Sequence, residues 1–153
     1  VVLGPGSLST SRLPVRLVGG FARAVREASA LKVLVGNIMT QPGETVSMSM
    51  IEHLEALDRH VGRVADLVLI NAAPILKERL RPYAEQHAEL VSTAGLAARP
   101  ERILIAPLVN DSGKIRHDPA RLAGALLRLV TKPAAARPTA LASASPRGGP
   151  FAS

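Results

Sequence analysis

The sequence predicts a three-layer α/β sandwich of Rossmann-like type, built on a mainly parallel sheet. Short runs of branched aliphatic residues, such as KVLVGNI at 32–38 and DLVLIN at 66–71, alternate with stretches whose apolar residues recur at helical spacing. Unbroken apolar strands are typical of strands that are buried on both faces. Helices between successive strands imply that the strands are parallel and are joined by right-handed crossovers.

Eight elements follow from these patterns. Each predicted helix carries an apolar stripe, as Met50, Leu54 and Leu57 do in the second helix. Pro74 suits the first turn of the third helix, and Pro107 favours a bend or a sheet edge near the end of the last strand. In chain order we expect a strand at 1–3, a helix at 14–28, a strand at 32–38, a helix at 47–61, a strand at 66–71, a helix at 74–87, a strand at 102–109 and a helix at 118–130.

The predicted sheet is small. Three or four strands are fewer than such sheets commonly have, and the chain opens on a strand without an initiator methionine. We therefore expect an incomplete sheet whose N-terminal half is missing. A bare strand edge invites pairing with another chain, so we expect homo-oligomers through that edge and weak ligand binding by the chain alone.

Composition excludes several classes of protein. The 153 residues suffice for one ordinary domain, and they include no cysteine, which excludes disulfide scaffolds, thiol nucleophiles and cysteine-based zinc sites. No apolar run reaches the roughly 18 residues of a membrane span. The net charge of +7 is dispersed, and only Phe21, Tyr83 and Phe151 could stack on bases. We expect a basic surface that favours an anionic small ligand over nucleic acid.

The alternation of strands and helices stops after Thr131. Residues 132–153 are rich in Ala, Pro, Ser, Arg and Gly. Such a composition buries too little apolar area to offset the entropy lost on ordering. We expect one domain over 1–131, followed by a disordered tail over 132–153.

Polar loops leave the carboxyl ends of the first three predicted strands, and in a parallel sheet ligands bind at that edge. The first loop, GPGSLSTS at 4–11, combines glycines, which let backbone N–H groups approach an anion, with donor hydroxyls. Its candidate ligand-binding residues are Gly4, Gly6, Ser7 and Thr10. An ordinary strand-to-helix turn with a Ser or Thr cap explains the same residues equally well.

The second loop, NIMTQPGET at 37–45, carries Asn37, Gln41 and Thr45, whose side chains could hold a base or a sugar by directed hydrogen bonds. The alternative is that Gly43 makes a turn and that Thr45 or Glu44 caps the helix. Asn71 follows the third strand and is expected at the same carboxyl edge of the sheet, which is called the rim below.

Other polar residues give weaker signals. His53 and His60 lie seven apart on the second helix, where solvated histidines are common, and we expect no metal site there. Asp118, before a proline, suits a helix cap. Arg116 has no such structural explanation and is suited to a phosphate, and the Tyr83 hydroxyl could reach the rim. No catalytic triad, carboxylate pair or Walker loop is present, so no catalytic residue is assigned.

Four strings, taken in order, resemble one known family: VVLGPGSLSTS, NIMTQPGET, DLVLINAAPI and GKIRHDP. Together they are similar to the bacterial gluconeogenesis factor family (YvcK-like), which belongs with the 2-phospho-lactate transferases (CofD-like). The resemblance runs from Val1 to about Val130. Members of that family open with a GGGTG-type phosphate loop, which this sequence lacks before Val1.

The resemblance implies a cytoplasmic regulator that binds UDP-sugars, notably UDP-N-acetylglucosamine, and is required for cell shape and cell-wall synthesis during gluconeogenic growth. The UDP-sugar would be a bound ligand, and no firm catalytic activity is implied. The alternative is a 2-phospho-L-lactate transferase-like enzyme that uses a nucleotide-activated substrate. Carried onto this sequence, the resemblance implies a site formed by Gly4, Gly6, Ser7, Thr10, Asn37, Gln41, Thr45, Tyr83 and Arg116.

Overall fold

Four parallel strands form the centre of the structure, a computed structural model that describes residues 1–12, 18, 20–99 and 101–131. The strands lie side by side in chain order, and within the described residues the first and last form the two edges. Every neighbouring pair is parallel, as predicted. The strands are β1 (Val2–Leu3), β2 (Val33–Val35), β3 (Leu67–Asn71) and β4 (Arg102–Ala106).

Helices cover both faces of this sheet. They are α1 (Phe21–Glu27), α2 (Met50–Val61), α3 (Lys77–Ala84) and α4 (Pro119–Thr131), with a short π-helical turn at Leu8–Arg12 and a 3-10 turn at Leu96–Ala98. In the described part of the chain no helix combines the length and apolar character that a membrane crossing needs. The predicted tail, 132–153, lies outside the described residues.

The core is divided by the sheet into two apolar layers. Leu34 of β2 packs with Leu54 of α2 on one face, whereas the adjacent Val35 packs with Ala125 of α4 on the other. Alternate residues of one strand therefore enter different cores, because side chains alternate across a sheet. This arrangement confirms the predicted three-layer sandwich.

The first helix is shorter than predicted. Gly20 has a left-handed φ of 83° and precedes α1, so the helix begins at Phe21. Val18 lies in a bend outside the helix. A left-handed residue cannot continue a right-handed helix, and glycine adopts this conformation at Gly20 at little cost. The remaining part of the predicted span, 13–17 and 19, lies outside the described residues.

The prediction that Pro74 occupies the first turn of the third helix is wrong. That helix begins three residues later, at Lys77, and contains Pro82 in its last turn. His87, which has a left-handed φ of 57°, follows the helix. A proline inside a helix removes one backbone donor, which agrees with an end at Ala84 rather than at 87.

The prediction that Asp118 caps the last helix is confirmed. Its Oδ1 accepts a hydrogen bond from the Arg121 N–H at 2.8 Å, three residues into α4. The second helix is capped by Ser49, whose side chain and that of Glu52 exchange hydrogen bonds with each other's backbone N–H. These caps fix two of the helices that flank the carboxyl edge of the sheet.

Gly36, directly after β2, allows α2 to pack closely on the sheet. A Cβ built there would lie 2.9 Å from Met50 Sδ and 3.3 Å from Ile70 Cγ2. Gly36→Ala is expected to lower the free energy of unfolding by about 1 kcal/mol, since the flexible Met50 side chain can partly yield. Urea denaturation measures the change. Gly4→Ala is the matched control because nothing lies within 4 Å of its Cβ position, and an equal loss in both variants would contradict the packing argument.

Candidate functional site

The loops that follow β1 and β2 meet at the carboxyl edge of the sheet. The Gly6 N–H donates to Asn37 Oδ1 at 3.1 Å, and Asn37 Nδ2 donates to the Gly6 carbonyl at 3.0 Å. The predicted convergence of these two loops is therefore confirmed. In this structure both ends of the Asn37 amide bond to the neighbouring loop, so the residue acts as a bracket between the two loops.

A carboxylate also joins these loops. Ser7 Oγ lies 2.8 Å from each carboxylate oxygen of Glu44 and donates to them, and the Ser9 N–H donates to Oε1. The Thr10 N–H donates to Ser7 Oγ at 3.0 Å. Burial alone would raise the pKa of Glu44, but the hydrogen bonds from Ser9 and Ser7 outweigh it and lower that pKa. The hydroxyl and N–H donors predicted for a ligand anion here bind an anion that the chain itself supplies.

Asn71 ties the end of β3 to the segment that follows β4. Its Oδ1 accepts hydrogen bonds from three backbone N–H groups, those of Ala73 (3.2 Å), Leu108 (2.9 Å) and Val109 (3.1 Å). Its Nδ2 donates to the Ala73 carbonyl at 2.9 Å. Leu108 and Val109 are buried, so water cannot easily replace this acceptor. Asn71 lies at the predicted rim, where its amide organises the backbone.

A cavity of about 320 Å³ opens between this rim and α3. Pro5 and Gly6 of the first loop line one side, and Tyr83 of α3 lines another. Gln41 and Arg116 also line it. The side-chain oxygen of Gln41 is buried and accepts no hydrogen bond from the residues that the structure describes.

Two further polar groups of this cavity are available to a bound molecule. The Tyr83 hydroxyl accepts a hydrogen bond from the Ile115 N–H at 2.7 Å, so its own hydrogen remains free to be donated. Arg116 is exposed, and no described residue forms an ion pair or hydrogen bond with its guanidinium. Gln41, Tyr83 and Arg116 thus offer this cavity an acceptor, a hydroxyl donor and a cation.

A second cavity, of about 230 Å³, adjoins the first and shares Asn37 and Ile38 with it. Its lining includes the apolar side chains of Met50, Ile70 and Leu90. The carboxyl edge therefore carries a polar compartment with a cation next to a more apolar one. Such a pair of compartments suits a molecule that has an anionic part and an uncharged part.

The ten predicted site residues fall into two groups in this structure. Gln41, Tyr83 and Arg116 present polar groups to the first cavity. The others build the loops: Thr45 is fully buried and its Oγ1 accepts the Gln41 N–H at 2.9 Å, and Gly4 is exposed. The remaining members of the framework group, described above, are Gly6, Ser7, Thr10, Asn37 and Asn71. Whether any of the ten binds a ligand stays a prediction.

Sequence reasoning missed two residues that shape the site. Glu44 was weighed as part of a polar loop or as a helix cap but was not predicted to join the two loops, and Asn110 was not considered. Asn110 bonds twice to the backbone of Arg116: its N–H donates to the Arg116 carbonyl at 3.0 Å, and its side-chain Oδ1 accepts the Arg116 N–H at 3.3 Å. The available signal was an asparagine at the start of the NDSG turn, because such amides often bond to nearby backbone.

The two histidines of α2 lie away from this cavity lining. His53 is fully buried, so the expectation of a solvated side chain is wrong for it, and its Nδ1 lies 2.8 Å from the Ser49 carbonyl. His60 Nδ1 lies 2.7 Å from the Ala56 carbonyl. Each ring therefore bonds to the preceding turn of its own helix. Among the described residues no group of three His, Cys, Asp or Glu side chains could hold a metal ion.

Comparison with known proteins identifies the family. A family model described as 2-phospho-L-lactate transferase CofD matches residues 1–113. The chain belongs to the CofD family. A Bacillus subtilis member named gluconeogenesis factor is 36% identical over 138 residues, and a Deinococcus radiodurans protein with the same name, given provisionally, is 42% identical over 134 residues.

The fold of this CofD-family chain also matches a solved structure. A UPF0052 family member from Bacillus halodurans superposes with a TM-score of 0.77 and 35% sequence identity, over 82% of this chain. The chain corresponds to 41% of that structure, to 42% of the B. subtilis relative and to 28% of the D. radiodurans relative. It therefore spans less than half the length of the relatives it matches.

Proposed function

We propose that this CofD-family chain binds a UDP-sugar, with UDP-N-acetylglucosamine as the ligand, in a cytoplasmic regulator of cell shape and cell-wall synthesis during gluconeogenic growth. The observation that carries the proposal is the Arg116 guanidinium, which is unengaged among the described residues and shares a cavity with the Tyr83 hydroxyl. A guanidinium can bind two oxygens of a phosphate through parallel hydrogen bonds. The names of the bacterial relatives support the link to gluconeogenesis.

The other groups of the cavity suit the rest of such a ligand. The Gln41 oxygen could accept the N–H of a base or of an N-acetyl group, and the Tyr83 hydroxyl could donate to a sugar oxygen. At about 320 Å³ the cavity is at the small end of ligand pockets, which span roughly 300–1,000 Å³. It would therefore hold the diphosphate and one neighbouring moiety, with the adjoining cavity of about 230 Å³ available to the remainder.

A second candidate is a transferase of the 2-phospho-L-lactate type that uses a nucleotide-activated substrate. The description of the matching family model favours it. The two candidates differ in turnover, since a regulator releases its nucleotide sugar unchanged. Incubation with a phospholactyl donor and a deazaflavin acceptor tests this directly, and formation of the coupled product would favour the transferase.

Arg116→Gln is expected to weaken the binding of UDP-N-acetylglucosamine roughly tenfold, because it removes one charge-assisted pair of hydrogen bonds to phosphate. NMR titration of the labelled chain measures even weak affinities. Uridine, which lacks the diphosphate, should bind the wild type and the variant equally.

Arg81→Gln is the matched control. Arg81 is exposed on α3 and is absent from the cavity lining, and its loss removes the same charge. An equal loss of affinity in both variants would show that only net charge matters. No saturable shift of the wild-type resonances at Gln41, Tyr83 or Arg116 would contradict the proposed function itself.

A further inference from the structure

Helix α3 holds the loop at 110–116, which carries Arg116, at two points one helical turn apart. The first point is Tyr83, whose hydroxyl accepts the Ile115 N–H at 2.7 Å. The second is Arg79. Its Nη1 donates to the Asn110 carbonyl at 2.7 Å, and its Nη2 donates to Asn110 Oδ1 at 3.0 Å and to the Gly113 carbonyl at 3.3 Å.

Asn110 connects Arg79 to Arg116 through hydrogen bonds. The same Oδ1 atom that accepts from Arg79 also accepts the Arg116 N–H at 3.3 Å, and the Asn110 N–H donates to the Arg116 carbonyl at 3.0 Å. Asn110 Nδ2 donates to the carbonyls of Ser112 (2.6 Å) and Lys114 (3.0 Å). One amide therefore closes the loop on itself, and Arg79 attaches that amide to α3.

Arg79 is placed to act through this loop rather than on a ligand. It is absent from the lining of the cavity that contains Arg116, and it lines a separate cavity of about 380 Å³ that also contacts Tyr83 and Lys114. Its Nε is buried. No described carboxylate forms an ion pair with it, so its fork of donors serves the loop alone.

We propose that Arg79 is a positioning residue for the ligand site: by fixing Asn110 it fixes the backbone from which the Arg116 guanidinium reaches the ligand. This inference rests on the proposed function, because it needs an anionic ligand at Arg116. In this proposal, α3 sets the position of the Arg116 guanidinium through two attachments to the loop, one at Arg79 and one at Tyr83. Arg79 reaches three acceptors on this loop with two nitrogens of one planar fork, a geometry that the single ammonium nitrogen of a lysine does not reproduce.

A double-mutant cycle tests the proposal. Arg79→Gln should weaken the binding of UDP-N-acetylglucosamine roughly fivefold in the wild-type background and less than about twofold in the Arg116→Gln background. The two effects should not add, because Arg79 acts on the ligand only through Arg116. Equal losses in the two backgrounds would overturn the positioning role while leaving the proposed function intact. Failure of the wild type to bind would instead count against the proposed function. Arg81→Gln on the same helix should change neither value.

Arg79→Lys separates position from charge and remains informative if Arg79→Gln folds poorly. It keeps the positive charge but loses the fork, so it should weaken binding about as much as Arg79→Gln. Heteronuclear NOE values of the Ile115 and Arg116 amides in the free protein should fall in Arg79→Lys, a change that needs no ligand to be seen. Wild-type affinity together with unchanged NOE values in this variant would overturn the proposal.

Discussion

Replacement of Asn71 by leucine should lower the free energy of unfolding by about 3 kcal/mol or more, the largest effect expected in this chain. Leucine has nearly the same shape but no acceptor, so the N–H groups of Ala73, Leu108 and Val109 would lose their partner. An unsatisfied buried N–H costs about 1–3 kcal/mol. Urea denaturation followed by far-UV circular dichroism measures the difference.

Asn71→Asp is the matched control, because it keeps an oxygen that can accept the three hydrogen bonds. It replaces the Nδ2 donor by a second oxygen that faces the Ala73 carbonyl, which is one lost hydrogen bond rather than three, so it should destabilise the protein less than Asn71→Leu does. Equal losses in the two variants would mean that the acceptor is not what the site requires. Asn71→Leu should also weaken ligand binding, since the segment after β4 leads into the loop that carries Arg116.

The fold could be predicted because strands that are buried on both faces appear in the sequence as unbroken runs of apolar residues. The run at 66–71 contains the strand Leu67–Asn71, in which four of the five residues are buried. The run at 102–109 contains Arg102–Ala106, which has the predicted order and direction but is an edge strand of the described sheet with no fully buried residue. Element ends were less accurate. Gly20 stops the first helix by its conformation, and the third helix begins at Lys77 rather than at Pro74. Those ends depend on local backbone geometry that residue type suggests only weakly.

The rim could be located from the sequence, but the hydrogen-bond partners of its asparagine side chains could not be predicted. Parallel strands place the loops after β1, β2 and β3 on one side, which correctly brought Asn37 and Asn71 to the same edge. Their side chains bond to Gly6, 31 positions away, and to Leu108, 37 positions away. Partners so distant in sequence become neighbours only through the sheet, so an amide predicted for a ligand can equally well bind backbone.

Glu44 illustrates the same limit, because its type and position fit a helix cap while its partners lie in the loop after β1. Glu44→Gln is expected to lower the free energy of unfolding by about 2 kcal/mol at neutral pH. Several hydrogen bonds are affected, but solvent at this half-buried site offsets part of the loss. The expected net effect is therefore about that of one charge-assisted hydrogen bond. The amide of glutamine would also place a donor against the Ser7 and Ser9 donors.

This effect should depend on pH with a definite sign. The pKa of Glu44 is lowered in the folded protein, because the hydrogen bonds from Ser9 and Ser7 outweigh the effect of burial. A lowered pKa means that the stabilisation is fully present above the unfolded-state value of about 4.3 and is lost as the pH falls through the folded-state pKa. The difference between wild type and Glu44→Gln should therefore be constant near pH 7 and narrow below about pH 4.

Urea titrations at a series of pH values measure that difference. Glu55→Gln is the control, since Glu55 is an exposed carboxylate on α2 with no hydrogen bond to its side chain among the described residues. It should show little loss at any pH. If the Glu44→Gln difference persisted unchanged in acid, the carboxylate charge would not be what holds the two loops together. The contact between the two loops would then depend on the Asn37 amide, which does not titrate and would hold the loops together at any pH.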